Sequence, residues 1–291
     1  MRLSGSVSIF ADGGARGLTH RRMESVLRPN HMKRAVSAGI IAVALAVAFS
    51  PAFDRDAEGQ APYRARRTPD GKPDLQGIWR VMNSANANIQ DHSAGSMGPA
   101  GHGVVVGNDL PYLPAALEKK KQNAAKWRTD DPYGKCFLPG VPRATYVGLP
   151  FQIIQTPGYV ALAYEYVHAS RMVYTNGTPH QEDVEWWMGD SRGKWEGETL
   201  VVDVTNMNDQ TWFDTAGNHH SAELHVVERY TRTGPDHMQY EATIEDPKTF
   251  SKPWKMSMLL YRQKEANAQL FDYACFAFDH HEKGLSISLA R

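Results

Sequence analysis

The sequence has only two cysteines among 291 residues, too few for a disulfide-rich miniprotein or for a four-cysteine zinc site. It has no excess of either charge, because 32 basic and 32 acidic side chains balance. That balance argues against a basic nucleic-acid-binding protein. No glycine-rich phosphate loop follows a predicted strand, so a nucleotide-binding fold is not expected. The composition, 42% hydrophobic and 22% charged, is typical of a folded globular protein.

Residues 1–60 have the features of a leader. Lys33 and Arg34 precede an apolar run at 39–49, and the small residues Ser50 and Ala52 follow it. A run this short, flanked in this way, predicts an export signal, with an uncleaved N-terminal anchor as the alternative. We therefore expect residues 1–60 to be removed or disordered, and the protein to be periplasmic or extracellular. After cleavage no transmembrane span is expected.

The remaining segment, 61–291, is predicted to be a single β-rich domain. Residues 1–60 hold eight of the basic and five of the acidic side chains, which leaves 24 and 27 in this domain and makes it mildly acidic. Both Cys136 and Cys275 lie in it, and an oxidising compartment predicts that they form a disulfide. Because the closed loop is long, such a bridge is expected to stabilise the fold by about 4 kcal/mol.

Short segments rich in β-branched and aromatic residues dominate the chain, and turns containing Gly, Pro or Asn separate most of them. This spacing predicts an antiparallel β-barrel or sandwich. One helix is expected near 114–127, where Pro114 suits a first helical position, and long irregular segments precede it. The predicted strands are 75–82, 159–168, 171–175, 184–188, 199–205, 224–231, 238–245, 255–262 and 269–276.

Seven blocks of the sequence carry a resemblance to a known family. They read PDGKPDLQGIW, CFLPGVPR, PFQIIQTPGYVALAYEY, MGDSRGKWEGETLVVDVTNMND, TWFDTAGNHHSAELHVVERY, YEATIEDP and FDYAC. Together they resemble a widespread family of exported bacterial proteins whose activity is uncharacterised, and they extend from Thr68 to Cys275. The resemblance implies export and one β-rich domain. Members often read ACHEGN where this chain reads ACFAFD, so no site is carried over to that segment.

The first predicted strand contains Gly77-Ile78-Trp79, which resembles the Gly-x-Trp of lipocalin-like (calycin) barrels. With many short strands behind it, this favours a single antiparallel barrel of that type over a sandwich.

Two groups of residues are candidates for chemistry. The first is Asp190 and Arg192, which could orient a polar ligand group with Trp195 as a stacking surface; a hairpin held by local contacts is the alternative. The second, in residues 212–225, joins histidines and carboxylates suited to acid/base catalysis. Its members are Asp214, His220, Glu223 and His225, with Trp212 shaping the pocket. An exposed polar surface is the alternative here, and a divalent metal site is a weaker one, because no recognised ligand spacing is present.

Tyr164 and His168 are predicted to share one strand face, which would point into the barrel and contact a ligand if the barrel is closed. Packing alone is the alternative for such tyrosines.

These features predict an exported barrel that binds a small organic ligand in its lumen, with lyase- or isomerase-type acid/base chemistry as an option. The alternatives are a non-catalytic carrier of small ligands and an envelope-associated structural protein. We expect a small-molecule partner, no nucleic acid and no cofactor. The sequence leaves the oligomeric state open.

Overall fold

The computed structural model describes residues 63–273 and residue 275, all within one compact unit, Gln60–Arg291. The predicted leader at 1–60, with its apolar run at 39–49, lies outside the described residues. Nine strands and two helices are present in the described part of the chain. They are β1 (Gly77–Val81), α1 (Pro114–Ala125), α2 (Trp127–Asp130), β2 (Phe151–Thr156), β3 (Tyr159–Tyr164), β4 (Ser170–Tyr174), β5 (Asp190–Glu196), β6 (Thr199–Thr205), β7 (His225–Arg232), β8 (His237–Glu245) and β9 (Trp254–Arg262).

The nine strands pair in chain order and close into a barrel, because β1 pairs with both β2 and β9. The predicted barrel is confirmed. One pair differs from the antiparallel expectation: β4 and β5 run parallel and are joined only at Val173 with Ser191 and at Tyr174 with Arg192. A parallel pair needs a crossover connection, and residues 175–189 provide it. The predicted strand at 184–188 is therefore wrong, since these residues belong to the crossover.

Two other predicted elements have different boundaries. The strand predicted at 159–168 ends at Tyr164, and a 3₁₀ turn follows at Tyr166–His168, with φ of 47° at Val167 and 52° at His168. Tyr164 and His168 therefore do not share a strand face, which corrects that prediction. The helix starts at Pro114 as expected but ends at Ala125, where the short α2 takes over. The described part of the predicted strand 269–276 contains no strand.

Side chains fill the inside of the barrel. Leu200, Val202 and Val204 of β6 are buried, while Asp203 and Thr205 on the opposite face are half-buried, as the alternation in the sequence predicts. The hydrophobic core continues with large side chains from the other strands, including Trp79, Phe151, Tyr164, Tyr230, Tyr240, Met256 and Leu260. The lumen is thus largely occupied by the protein's own aromatic and aliphatic groups.

The irregular segments are held by buried polar contacts and by the disulfide. Both guanidinium Nη atoms of Arg143 donate to the carboxylate of Asp131, at 2.7 and 2.9 Å, with both side chains buried. The predicted bridge between Cys136 and Cys275 is confirmed, with an S–S distance of 2.04 Å. Among the described residues, no helix is long and apolar enough to cross a membrane.

Candidate functional site

A cavity of about 350 Å³ opens in the barrel wall between β4 and β5, and we call it the seam cavity. It lies where the two parallel strands share only two paired positions, so the start of β4 and the residues before β5 are not joined to each other. Its lining residues are Leu138, Ser170, Arg171, Met172, Tyr174, Gln181, Trp186, Trp187, Met188, Gly189, Asp190 and Ser191.

The rim of the seam cavity is rich in aromatic side chains. Trp186 is 44% exposed, and Trp187 stacks on Phe137 with 5.2 Å between ring centroids. Tyr174 carries the guanidinium of Arg192 above its ring, at 4.7 Å from the centroid. Exposed aromatic surface beside a concave site is typical of ligand-binding positions.

The floor of the seam cavity is polar and leads into the barrel. Arg171 is fully buried, and its Nε donates a hydrogen bond of 2.8 Å to Ser191 Oγ. Its Nη2 donates to Glu228 Oε2. The hydroxyls of Tyr230 and Tyr240 donate to the other oxygen of Glu228, at 3.0 and 2.8 Å. We call Thr145, Tyr164, Arg171, Ser191, Glu228, Tyr230 and Tyr240 the buried polar cluster.

The cluster contains one buried pair of opposite charges, Arg171 and Glu228. Burial raises the pKa of the Tyr230 and Tyr240 hydroxyls well above their usual value, and the Glu228 carboxylate adds to this effect. Burial opposes the charge of Arg171, but Glu228, Tyr164 and Tyr230 together more than offset it, so the pKa of the guanidinium is raised. The tyrosines therefore stay protonated and donate to the carboxylate, and Arg171 stays charged.

Three polar atoms of the cluster have no hydrogen-bond partner within the described residues: Arg171 Nη1, Tyr164 Oη and Thr145 Oγ1. Each belongs to a buried side chain. An unsatisfied buried polar group costs about 1–3 kcal/mol.

A second polar group crosses the outer face of β5 to β8 beside the cavity. His180 Nδ1 contacts Asp190 Oδ2 at 3.0 Å, and its Nε2 contacts Asp203 Oδ1 at 3.0 Å. Asp203 Oδ1 also contacts His225 Nε2, at 3.2 Å, and His225 Nδ1 lies 3.5 Å from Glu245. We call these five side chains the histidine–carboxylate row. Through Asp190 the row reaches the seam cavity.

The predicted residues Asp190, Arg192 and His225 all lie at or beside this row. Arg192 Nη2 is 3.0 Å from Asp190 Oδ2, and its Nε donates to the Pro179 carbonyl. His225 does not contact Asp190, and its partners are Asp203 and Glu245 instead.

Glu223 lies apart from them, paired with Lys248 Nζ at 2.9 Å on the surface. Glu223 and His225 together line a separate open cleft of about 580 Å³.

Asp214 and His220 are buried elsewhere. Asp214 accepts hydrogen bonds from the Ile89 and Asn218 backbone amides and from the Asn218 side chain, and burial raises its pKa to about 6. His220 contacts Thr211 Oγ1 at 2.7 Å and the Ser221 carbonyl, and burial lowers its pKa. The six residues proposed for acid/base chemistry are thus distributed over three surroundings.

The four predicted ligand-contacting residues are also dispersed. Tyr164 points into the buried polar cluster. The side chain of His168 is 60% exposed and pairs with Asp272 at 2.9 Å. Trp195 packs against the hydrophobic core, and Trp212 is buried in a bridge with His219. None of these four lines the seam cavity.

Arg171 and Glu228 are not among the residues predicted from the sequence, and neither Ser191, His180 nor Asp203 was assigned a role. Asp203 is marked in the sequence as the charged residue on the semi-polar face of its strand. Glu228 occupies an inward position of an alternating strand, where a carboxylate is unexpected unless it is paired. That position is the one sequence signal for the buried cluster.

Within the described residues, no group of three or more His, Cys, Asp or Glu side chains is arranged to hold a metal ion. The metal alternative for the histidine segment therefore gains no support from the structure.

Comparisons with known proteins give no family. No protein-family model matches the chain, and no curated protein matches it. One similar solved structure is a crystal structure of a mutant of the fluorescent protein UnaG, which is 9% identical in sequence with a TM-score of 0.28. That match covers 66% of this chain and 97% of the other. A likeness at this TM-score carries no inference about ligand or activity.

Proposed function

We propose that this protein is an exported barrel that binds a small organic molecule in the seam cavity. The observation that carries the proposal is the combination of exposed aromatic rings at the rim with buried donors at the floor. Ligand sites in proteins characteristically join a mostly apolar lining to a few polar groups that fix orientation. The sequence predicts a ligand site in the lumen of the barrel. We place the site in the barrel wall instead, because the protein's own side chains largely fill the lumen.

The size of the cavity sets the size of the ligand. A volume of about 350 Å³ is at the small end of the range for small-molecule sites, about 300–1,000 Å³. Trp186 and Trp187 favour a flat apolar body, such as one aromatic ring or two fused rings, because such rings stack on indole. A long lipid chain does not fit this volume.

Export is proposed on two grounds. The sequence carries a basic pair followed by an apolar run at 39–49, and the chain holds an intramolecular disulfide. Disulfides persist mainly in oxidising compartments such as the periplasm or the exterior.

Titration with the neutral two-ring fluorescent probe 1-naphthylamine tests the binding proposal. We expect saturable enhancement of probe fluorescence, and a loss of about tenfold or more in affinity in Trp186→Ala. Phe271→Ala, which removes an exposed ring that does not line the cavity, is the matched control and should bind as the parent protein does. Absence of saturable binding would instead favour an envelope-associated structural role.

A second candidate function is acid/base catalysis at the same cavity. Asp190 favours it. Its Oδ2 lies 3.0 Å from both His180 Nδ1 and Arg192 Nη2, and its side chain lines the cavity. A carboxylate held in this way is placed to remove a proton from a bound carbon acid. Deuterium incorporation into the methyl group of acetophenone in D₂O tests this, with Asp190→Asn as the inactive comparison. If deuterium exchange is no faster with the protein than in buffer, the result favours a non-catalytic carrier.

A further inference from the structure

The two carboxylate oxygens of Asp190 have different surroundings. The side chain is buried, at 8% exposure, and it lines the seam cavity. Oδ2 takes the hydrogen bonds and ion pairs that the described residues make with this carboxylate, from His180 Nδ1 at 3.0 Å, the Gln181 amide at 2.9 Å and Arg192 Nη2 at 3.0 Å. Oδ1 receives none of them, and it is not among the enclosed atoms that lack a partner. Oδ1 is therefore the accessible acceptor that Asp190 offers at the cavity.

The other buried polar side chains of the lining, Arg171 and Ser191, are bonded within the protein. Arg171 Nε donates to Ser191 Oγ and Nη2 donates to Glu228, while Nη1 is covered by protein atoms. Ser191 has no exposed surface. An ionised carboxylate accepts hydrogen bonds and cannot donate them. A ligand that bonds to Asp190 must therefore bring the donor.

The charges around Asp190 favour a neutral donor over a cation. Arg192 Nη2 lies against Asp190 Oδ2, and Arg171 is paired with Glu228, so each of these carboxylates already faces a guanidinium. An ammonium ligand would add a positive charge beside Arg192 without a further carboxylate to offset it, and an uncompensated charge is costly to bury. A hydroxyl or N–H group avoids that penalty, and its hydrogen bond to a charged acceptor is stronger than one between neutral groups.

We infer that the seam cavity takes a neutral aromatic molecule bearing a hydroxyl or N–H donor, of which a phenol is the simplest example, and that this donor bonds to Asp190 Oδ1. The inference rests on the proposed function and names its ligand class. The aromatic ring is expected to pack at the rim, where Tyr174 and Trp186 line the same cavity as Asp190.

Three single-ring probes test the inference: p-cresol, anisole and benzylamine, titrated by isothermal calorimetry into the full-length mature protein at neutral pH. p-Cresol and anisole are isomers, so they match in composition and size, but only p-cresol has a donor. Benzylamine carries a positive charge. We expect p-cresol to bind about tenfold tighter than each of the others, because only it brings a neutral donor to the carboxylate.

The variant Asp190→Asn replaces the accessible acceptor by a donor. The three donors that surround Oδ2 hold the amide oxygen of the new side chain in that place, so its NH₂ group takes the position of Oδ1. We expect this variant to bind p-cresol and anisole about equally. Asp203→Asn is the matched control. It changes the other carboxylate that contacts His180, but Asp203 does not line the cavity, so the preference for p-cresol should persist.

The ratio of the two affinities separates a specific role of Asp190 from a structural one, because a loosened cavity weakens the binding of both isomers alike. Equal binding of p-cresol and anisole by the parent protein, or an unchanged preference in Asp190→Asn, overturns the donor inference while leaving the proposed function in place. Benzylamine as the tightest probe overturns the choice of a neutral donor. If 1-naphthylamine and all three probes fail to bind, the proposed function itself falls and the inference with it.

Discussion

Arg171 on β4 and Glu228 on β7 are paired across the inside of the barrel, 57 residues apart in the sequence and with side chains only 1% and 0% exposed. The pair joins two strands that are not neighbours in the sheet. It also lies directly behind the seam cavity, because Arg171 lines that cavity. The same ion pair therefore belongs both to the barrel interior and to the floor of the proposed binding site.

Breaking the pair on one side should be costly. We expect Arg171→Met to lower the free energy of unfolding by about 3–5 kcal/mol, because Glu228 would be left as an uncompensated buried carboxylate. The double variant Arg171→Met with Glu228→Gln should recover much of this loss, because no charge is then stranded. Urea denaturation of the parent, both single variants and the double variant measures the coupling. Additive losses would show that the two side chains are not coupled.

Asp214 should make the fold less stable as the pH rises. Its pKa is raised from 3.8 to about 6 by burial, so between these values the folded state holds a proton that the unfolded state has released. Stability from this group is complete below pH 3.8 and is lost as the pH rises through 6, by up to about 3 kcal/mol. The difference in unfolding free energy between the parent and Asp214→Asn, followed by denaturation across this range, should fall with rising pH. A difference independent of pH would contradict the assignment.

The contribution of His219 to the free energy of unfolding should change with pH in the opposite direction. Its pKa is lowered from 6.5 to about 4, chiefly by burial, so the folded state binds fewer protons than the unfolded state in this window. Its contribution is present above pH 6.5 and is lost as the pH falls through 4, by up to about 3 kcal/mol. In His219→Gln the acid-side loss of stability should be smaller than in the parent protein. Identical acid-unfolding profiles would refute this effect.

The histidine–carboxylate row should contribute little to stability. The side chain of Asp203 is 46% exposed, and exposed ion pairs are typically worth about 0–1 kcal/mol. Asp203→Asn is therefore expected to change the unfolding free energy by less than about 1 kcal/mol, far less than Arg171→Met. Thermal denaturation of both variants side by side checks this. If Asp203→Asn lost as much stability as Arg171→Met, the histidine–carboxylate row would be shown to stabilise the fold.

The disulfide between Cys136 and Cys275 should contribute strongly to the stability of the fold. It joins residues 139 positions apart, and closing so long a loop restricts the unfolded chain, for a stabilisation of up to about 5 kcal/mol. The double variant Cys136→Ser with Cys275→Ser should unfold at a clearly lower temperature, and the parent protein should match it after full reduction. Equal melting temperatures of oxidised and reduced parent protein would contradict the prediction.

The sequence predicts those parts of the fold that depend on local patterns. Alternation in β6 places Leu200, Val202 and Val204 inside and Asp203 outside, and Pro114 marks the start of the helix, as observed. The parallel seam between β4 and β5 is not predictable in this way, because it depends on the path of the crossover at 175–189. A strand there looked plausible, since Val184, Trp186 and Trp187 favour strands locally.

The site was only partly predictable, for a related reason. Asp190 and Arg192 stand out beside a glycine turn, and His225 alternates on a strand, so the sequence singles out all three as candidates. The pairing of Arg171 with Glu228 depends on closure of the barrel, which brings together strands far apart in the sequence. Asp214 and His220 looked reactive because the segment is rich in titratable groups, but their partners are local donors and acceptors that satisfy them in the interior.

The most direct test of ligand binding in the seam cavity is an NMR titration of ¹⁵N-labelled protein with 1-naphthylamine. Binding in the seam cavity should give saturable shifts confined to the backbone amides of Arg171 and Ser191 and to the indole N–H groups of Trp186 and Trp187. Shifts centred instead on the open cleft, at Glu223 and Leu224, or no saturable shifts at all, would contradict it.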